Sequence, residues 1–247
     1  MPPVPADRCG RRGAQMTLDH RLPTLPHALA RLRDHPVEVG GYISLGAGKG
    51  DDTQPFLSVW PDASVLLVDM DPRFEPGYRE LQGRFPRLRY DICGAAAEDQ
   101  VGYQHKSDQY GGVILTEAPN SSENVLETPL KKLDTLVREH GLPPPYFIKF
   151  DTHGVELDIL AGATEVLPQT SLIMMECYNF KLNFVQGRNL TFDEMSLHMK
   201  SLGFRVADMS DPLYRPGDSL LWQVHLYFLR ADHPAFRHNG YNPPRTA

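Results

Sequence analysis

The sequence predicts an α/β fold, a mostly parallel sheet with helices on both faces and an antiparallel pair of strands at one edge. Short β-like apolar runs alternate with amphipathic helical stretches along the chain. A glycine-rich turn follows the first of those runs, Gly41 to Leu45, as in doubly wound folds. The 247 residues, 41% hydrophobic and 23% charged, suit one domain with a sizeable core and not two equal halves. Residues 1–22 carry Pro and Arg but no continuous apolar segment, so they read as a flexible N-terminal arm, with residues 23–247 as a single domain.

The elements follow from spacing. Leu25, Ala28, Leu29 and Leu32 recur at helical intervals after Thr24, a capping residue, and Pro36 blocks continuation. Gly41–Leu45 and Ser64–Asp69 read as buried strands with a helix-length segment between them, a βαβ unit. Leu88–Ile92 reads as a third strand, and 94–124 as an irregular stretch without periodicity. Thr128-Pro129 predicts a helix start, because proline at the first helical position gives up only an N–H that had no partner; Leu130, Leu133 and Val137 form its stripe. Gly141 and Pro143-Pro144-Pro145 end that helix, and Tyr146 to Asp151 emerges as the next strand. A helix from Val155 to about Leu167 places Val155, Ile159, Leu160 and Ala163 on one side, and Leu172–Cys177 is the strand after it. Thr191-x-x-Glu194 is a capping box opening a helix that Gly203 stops. Phe204–Met209 and Leu221–Leu229 close the chain as the antiparallel edge.

Charge and cysteine content narrow the function. Lys and Arg number 25 against 31 Asp and Glu, a net charge of −6, the opposite of a nucleic-acid footprint, so no nucleic-acid partner is expected. Cys9, Cys93 and Cys177 form no C-x-x-C pair, which fits a reducing, cytoplasmic setting and argues against a thiolate zinc site. Apolar runs such as Leu172–Met175 are far short of the roughly 20 residues of a membrane span, so no membrane partner is expected.

Three stretches carry the candidate chemistry. In Gly46-Ala47-Gly48-Lys49-Gly50 the glycines permit positive φ and close approach of a ligand to the backbone, though a plain strand-to-helix turn reads the same way. Asp69, ending the second strand about 20 residues later, stands where doubly wound folds hold a ribose diol; Asp71 is the competing acid, and Met70 lies between them. Asp151 and His153 occupy the loop after the strand at Tyr146.

With these blocks in place the chain resembles the FkbM family of S-adenosylmethionine-dependent O-methyltransferases. The resemblance runs from about Pro23 to Phe228. It rests on Ile43 to Gly48, Trp60-Pro61-Asp62-Ala63, Val68 to Pro72, Pro129 to Asp134, Ile148 to Leu157 and Met175 to Phe180, the most specific block being I-K-F-D-x-x-G-x-E-x-x-I-L-x-G, which ends at Gly162. Two positions depart from the family pattern. Ser44 stands where members commonly carry an acid two residues before the first loop glycine, and His153 where many have Glu or Gln.

The resemblance implies a Rossmann-like class I methyltransferase fold with a seven-stranded sheet and S-adenosyl-L-methionine as cofactor. Gly46, Ala47, Gly48, Gly50, Asp69, Met70 and Asp151 are the expected cofactor contacts. The expected reaction is O-methylation of a small molecule or glycan. Catalysis falls to His153 with Asp151, since His153 is the residue in these blocks able to act as a base near neutral pH without a large pKa shift, although a structural histidine is the commoner case. Glu176, Tyr178 and Asn179 are candidates for binding the acceptor. No metal is expected, because Asp151 and His153 alone do not make a metal site. An inactive module of the same fold, for which Ser44 is the warning, and a nicotinamide oxidoreductase are the rival readings.

Overall fold

A computed structural model of the chain describes residues 22–105, 125–182 and 189–241. Residues 1–21 of the expected arm, Cys9, and 106–124 of the stretch read as irregular lie outside the described residues.

The main sheet has seven strands in the order β3-β2-β1-β7-β8-β10-β9. β1 (Gly41–Leu45), β2 (Ser64–Asp69), β3 (Leu88–Ile92), β7 (Tyr146–Phe150) and β8 (Thr170–Tyr178) run parallel, and β10 (Leu221–Arg230) pairs antiparallel with both β8 and β9 (Phe204–Tyr214). The chain winds outward from β1 through β2 to β3 and then returns to β7 on the other side of β1. The carboxyl ends of β1 and β7 therefore flank the topological switch point, where open α/β sheets bind ligands.

Each face of the sheet is covered. α1 (Leu25–Arg33), α2 (Thr53–Val59) and α3 (Glu75–Arg84) bury Leu29, Phe56 and Tyr78 against Tyr42, Leu67 and Phe147. The rings of Tyr42 and Phe56 stack at 4.1 Å, and full burial of such a side chain contributes about 1.5–3 kcal/mol. α4 (Leu133–His140), α5 (Glu156–Ala161) and α6 (Phe192–Ser201) cover the other face through Leu136, Ile159 and Met199. The Thr191/Glu194 capping box opens α6 as expected, and Gly141 ends α4 in the left-handed conformation. Thr24 stands at the start of α1, but its hydroxyl bonds His27 Nδ1 at 2.6 Å instead of capping the backbone.

Three expectations are corrected. The helix expected at Thr128-Pro129 is the strand β6 (Val125–Lys131), and α4 starts only at Leu133. A residue before proline is pushed to the extended region, and burial of Thr128 and Leu130 with Glu127 and Pro129 exposed has the period of a strand. Part of the stretch read as irregular is ordered as β4 (Gly94–Ala95) and β5 (Gln100–His105), which sandwich β6 in a second, three-stranded sheet. Finally, α5 ends at Ala161 instead of reaching Leu167. A Cβ on Gly162 would stand 2.4 Å from the Ala96 carbonyl oxygen, and the buried Asp134 carboxylate accepts the N–H groups of Glu165 and Val166, turning the chain away from the helix.

Candidate active site

Three loops meet at the switch point. The first follows β1, where Gly46, Gly48 and Gly50 have φ of 69°, 54° and 73°. The N–H groups of Gly46 and Ala47 donate to the Val68 carbonyl, and Tyr78 from α3 donates its hydroxyl to the Gly48 carbonyl at 2.6 Å. The three glycines serve different ends. A Cβ on Gly46 would lie 2.1 Å from the Asp151 carbonyl oxygen and one on Gly50 would meet Leu81 and Leu67, whereas one on Gly48 would meet no atom within 4 Å.

The second loop follows β2. Asp69 Oδ2 accepts the Gly48 N–H at 2.8 Å and Oδ1 the Asp71 N–H at 2.9 Å, so its carboxylate ties the glycine loop to its own turn. Burial raises the Asp69 pKa against the pull of those two N–H groups. Asp71 is engaged otherwise. Its oxygens take the N–H and guanidinium of Arg73, and that pairing lowers its pKa.

The third loop, Asp151 to Val155, follows β7. Gly154 has φ 82°, and the buried Glu156 carboxylate accepts the Gly154 N–H at 3.0 Å and the Thr152 hydroxyl at 3.1 Å. Glu156 thereby clamps the turn that carries His153. The Asp151 N–H donates to the Leu45 carbonyl, joining this loop to the first.

The loops enclose a cavity of about 740 Å³, within the range of small-molecule sites. Gly46, Gly48, Asp69, Met70, Asp151 and His153 line it, together with Lys49, Asp51 and Asp71. Phe74, Cys93, Ala95 and Gln104 also line it, the last from β5 of the small sheet. Gln104 is buried, with Nε2 donating to the Met70 carbonyl at 3.1 Å and to Thr128 Oγ1 at 2.9 Å.

Behind His153 lies a chain of buried polar groups. The Lys149 ammonium pairs with Asp52 and stands 2.9 Å from Asp151 Oδ2. The Asp151 and Glu176 carboxyl groups lie side by side, with oxygens within 4.8 Å. The Tyr178 hydroxyl donates to Glu176 Oε1 at 3.0 Å and lies 2.8 Å from His153 Nδ1. Burial would raise the Asp151 pKa, but the Glu176 hydrogen bond and the Lys149 charge outweigh it and bring it down to about 2. Burial and the neighbouring Asp151 push Glu176 up to about 9, so it holds a proton at neutral pH. Burial lowers the pKa of His153. Ligand atoms of Asp151, His153 and Glu176 all lie within 4.8 Å of one another, a spacing that suits a cation, yet the Lys149 ammonium already supplies positive charge to this pair of acids.

Several expected contacts stand elsewhere. Ala47 is packed in the core beneath the loop, and Gly50 faces Leu81 and Leu67; neither is on the cavity wall. Asn179 is bound to β10, its N–H donating to the Trp222 carbonyl and its side chain to that of Leu221. Glu176 and Tyr178 belong to the chain behind His153 and are not among the residues lining the cavity. Sequence reasoning missed Lys149, Asp52 and Gln104. Lys149 had left a signal, a lysine inside the apolar run Tyr146–Phe150, since a buried lysine requires charged partners.

Comparison with known proteins places these observations among methyl-transferring enzymes. The methyltransferase FkbM domain family matches residues 44–206, more than half of the chain. No curated protein matches the sequence. Among solved structures, the 1,6-didemethyltoxoflavin-N1-methyltransferase of Burkholderia thailandensis is similar at 15% identity and a TM-score of 0.45, over 84% of this chain and 78% of that one. A SAM-dependent methyltransferase from Aquifex aeolicus is similar at 12% identity and 0.41, over 83% and 89%. The 23S rRNA methyltransferase ErmE is similar at 14% identity and 0.44, over 87% and 70%.

Proposed function

The chain belongs to the FkbM methyltransferase family, its methyl donor is S-adenosylmethionine, and on that premise we propose that it methylates a hydroxyl of a small molecule or glycan with His153 as the general base. The observation that carries this reading is that Asp69, Asp151 and His153 line one and the same cavity. The donor set suits the cofactor. Each Asp69 oxygen accepts one backbone N–H and keeps lone-pair capacity for a ribose hydroxyl. Asp71, already held by Arg73, is the poorer choice. Lys49 beside Asp51 and Asp151 offers opposite charges to the carboxylate and ammonium of the methionine end, which compensates for the missing acid at Ser44. Gln104 and Phe74 close the base end, and the open side of Gly48 admits the ligand against the backbone.

S-adenosylmethionine supplies a methyl carbon on a sulfonium that departs as a neutral thioether. The protein's part is to hold the acceptor oxygen in line and take its proton as the C–O bond forms and the C–S bond breaks. A neutral imidazole meets that need, and burial keeps His153 neutral. The net charge of −6 supports a small molecule or glycan over a polyanionic nucleic acid. No described helix is long and apolar enough to cross a membrane.

The test is to incubate the protein with methyl-labelled donor and a metabolite extract, and to follow label by mass spectrometry. An O-methylated product supports the reading, and label on nitrogen, carbon or RNA rejects it. Calorimetry with S-adenosylhomocysteine separates an active enzyme from a module that has lost cofactor affinity.

A further inference from the structure

We infer that Tyr178 and Glu176 are positioning residues that fix the His153 imidazole with its proton on Nδ1 and its lone pair on Nε2. The inference rests on His153 as the base and adds which nitrogen receives the acceptor's proton.

Counting protons along the chain of contacts leads to it. Four groups stand in a row: the Asp151 and Glu176 carboxyl groups lie with oxygens within 4.8 Å, and hydrogen bonds join Glu176 to Tyr178 and Tyr178 to His153. The two carboxyl groups share one proton. Lys149, 2.9 Å from Asp151 Oδ2, holds the negative charge on Asp151, so the proton resides on Glu176 and is directed at Asp151. Glu176 then has only lone pairs to offer Tyr178, and Oε1 takes the phenolic proton across 3.0 Å. The Tyr178 oxygen has spent its only hydrogen. At 2.8 Å from Nδ1 it can bond the ring only by accepting, and the proton on that contact must come from the imidazole. A neutral imidazole carries one N–H, so its lone pair is on Nε2.

The polarity runs one way from His153 to Asp151, where the buried Lys149, itself paired with Asp52, donates from the other side. When Nε2 takes the acceptor's proton, the imidazolium charge is met by an oriented row of dipoles ending in the Asp151 carboxylate. This is the logic by which a buried acid orients a catalytic histidine, relayed here through a phenol and a carboxylic acid. It also accounts for Glu176 and Tyr178 standing behind the cavity wall.

The experiment is a two-bond ¹H–¹⁵N correlation spectrum of ¹⁵N-histidine-labelled protein with S-adenosylhomocysteine, at a pH where the ring is neutral, with His153 assigned by its loss in His153→Gln. The wild type is expected to show an unprotonated Nε2 and a protonated Nδ1. Tyr178→Phe removes the acceptor at Nδ1 and should move the ring toward the Nε2–H form. Glu176→Gln, whose amide donates to Asp151 and whose carbonyl accepts from Tyr178, should preserve the Nδ1–H form. A wild-type ring protonated on Nε2 overturns the inference, as does a Tyr178→Phe spectrum that keeps Nδ1–H. A His153 resonance that shifts specifically on adding Mg²⁺ or Zn²⁺ also overturns it, by making the ring a ligand. If Tyr178→Phe does not fold, the wild-type and Glu176→Gln spectra decide. The tautomer is read without turnover, so its failure is distinct from a failure of His153→Ala to impair methyl transfer.

Discussion

Gly46 and Asp151 touch: the place a Cβ on Gly46 would occupy is 2.1 Å from the Asp151 carbonyl oxygen. The loop expected to cradle the cofactor and the loop carrying His153 are thus packed backbone to backbone, and the absence of a side chain at Gly46 serves that contact, not the ligand. Gly48 is the opposite case, with positive φ but open space around it on the cavity wall. Gly48→Ala should cost about 1–2 kcal/mol for the left-handed backbone and weaken S-adenosylhomocysteine binding by placing a methyl in the cavity. Gly46→Ala carries the same backbone strain plus the collision with Asp151 and should cost more. Urea denaturation of both variants checks the order, and equal losses would show that the two loops separate readily.

Asp69 and Asp71 make the second contrast. The sequence favours Asp69 as the ribose acid with Asp71 as its competitor, and in the structure Asp71 is held by Arg73 while Asp69 stands between the glycine loop and the cavity. Asp69→Ala is expected to weaken S-adenosylhomocysteine binding by about 1.5–3 kcal/mol for each charge-assisted hydrogen bond lost. Asp71→Ala should weaken it by less. Calorimetry giving the reverse order would reassign the ribose contact.

Glu176 offers a stability test whose sign follows from its pKa. Its folded pKa of about 9 lies above the ordinary value of 4.5, so the stability it contributes is fully present below 4.5 and is lost as pH rises toward 9. Asp151 has the opposite sign, its contribution being present above 3.8 and lost as pH falls through about 2. Glu176→Gln keeps both hydrogen bonds and has no proton to lose. Urea midpoints measured from pH 5 to pH 9 should therefore decline in the wild type relative to the variant. Parallel curves would mean that Glu176 is ionised in the folded state.

The legible parts of this protein were those in which a local signal agrees with its tertiary setting. β1, β2 and β3 lie where their apolar runs end at turn residues, and the Thr191/Glu194 box opens α6 because its partners are its own neighbours. Thr128-Pro129 misled because proline at the first helical position and the extended residue that must precede it look the same at a helix start and in a strand, and the deciding partner, β5, sits in a stretch without periodicity. The site divides the same way. Gly48, Asp69 and His153 stand in contiguous blocks of sequence, and the fold brings all three to one cavity. The Lys149–Asp52 pair spans 97 residues of sequence, and Gln104 enters the cavity from the second sheet, so neither had a nearby pattern to betray it. The hydrogen bond of the Asn179 amide to the Leu221 carbonyl is visible only in the fold.

The role of His153 is the prediction with the most at stake. Once labelling has identified an acceptor, His153→Ala should lower kcat by about 10²–10⁴-fold, the usual contribution of a positioned base, with S-adenosylhomocysteine affinity little changed. The pH dependence has a definite sign. A base works unprotonated, and burial lowers the His153 pKa, so the neutral form persists to lower pH than in an exposed histidine. The rate should hold as pH falls from 8 through the ordinary imidazole pKa of about 6.5 and drop only below it. A pH–rate profile already falling well above that value would place the titrating group elsewhere. Turnover abolished by EDTA and restored by a divalent cation would assign activation of the hydroxyl to an ion held by Asp151, His153 and Glu176, and a His153→Ala enzyme with near-normal kcat would leave proximity of the acceptor to the donor as the source of the rate.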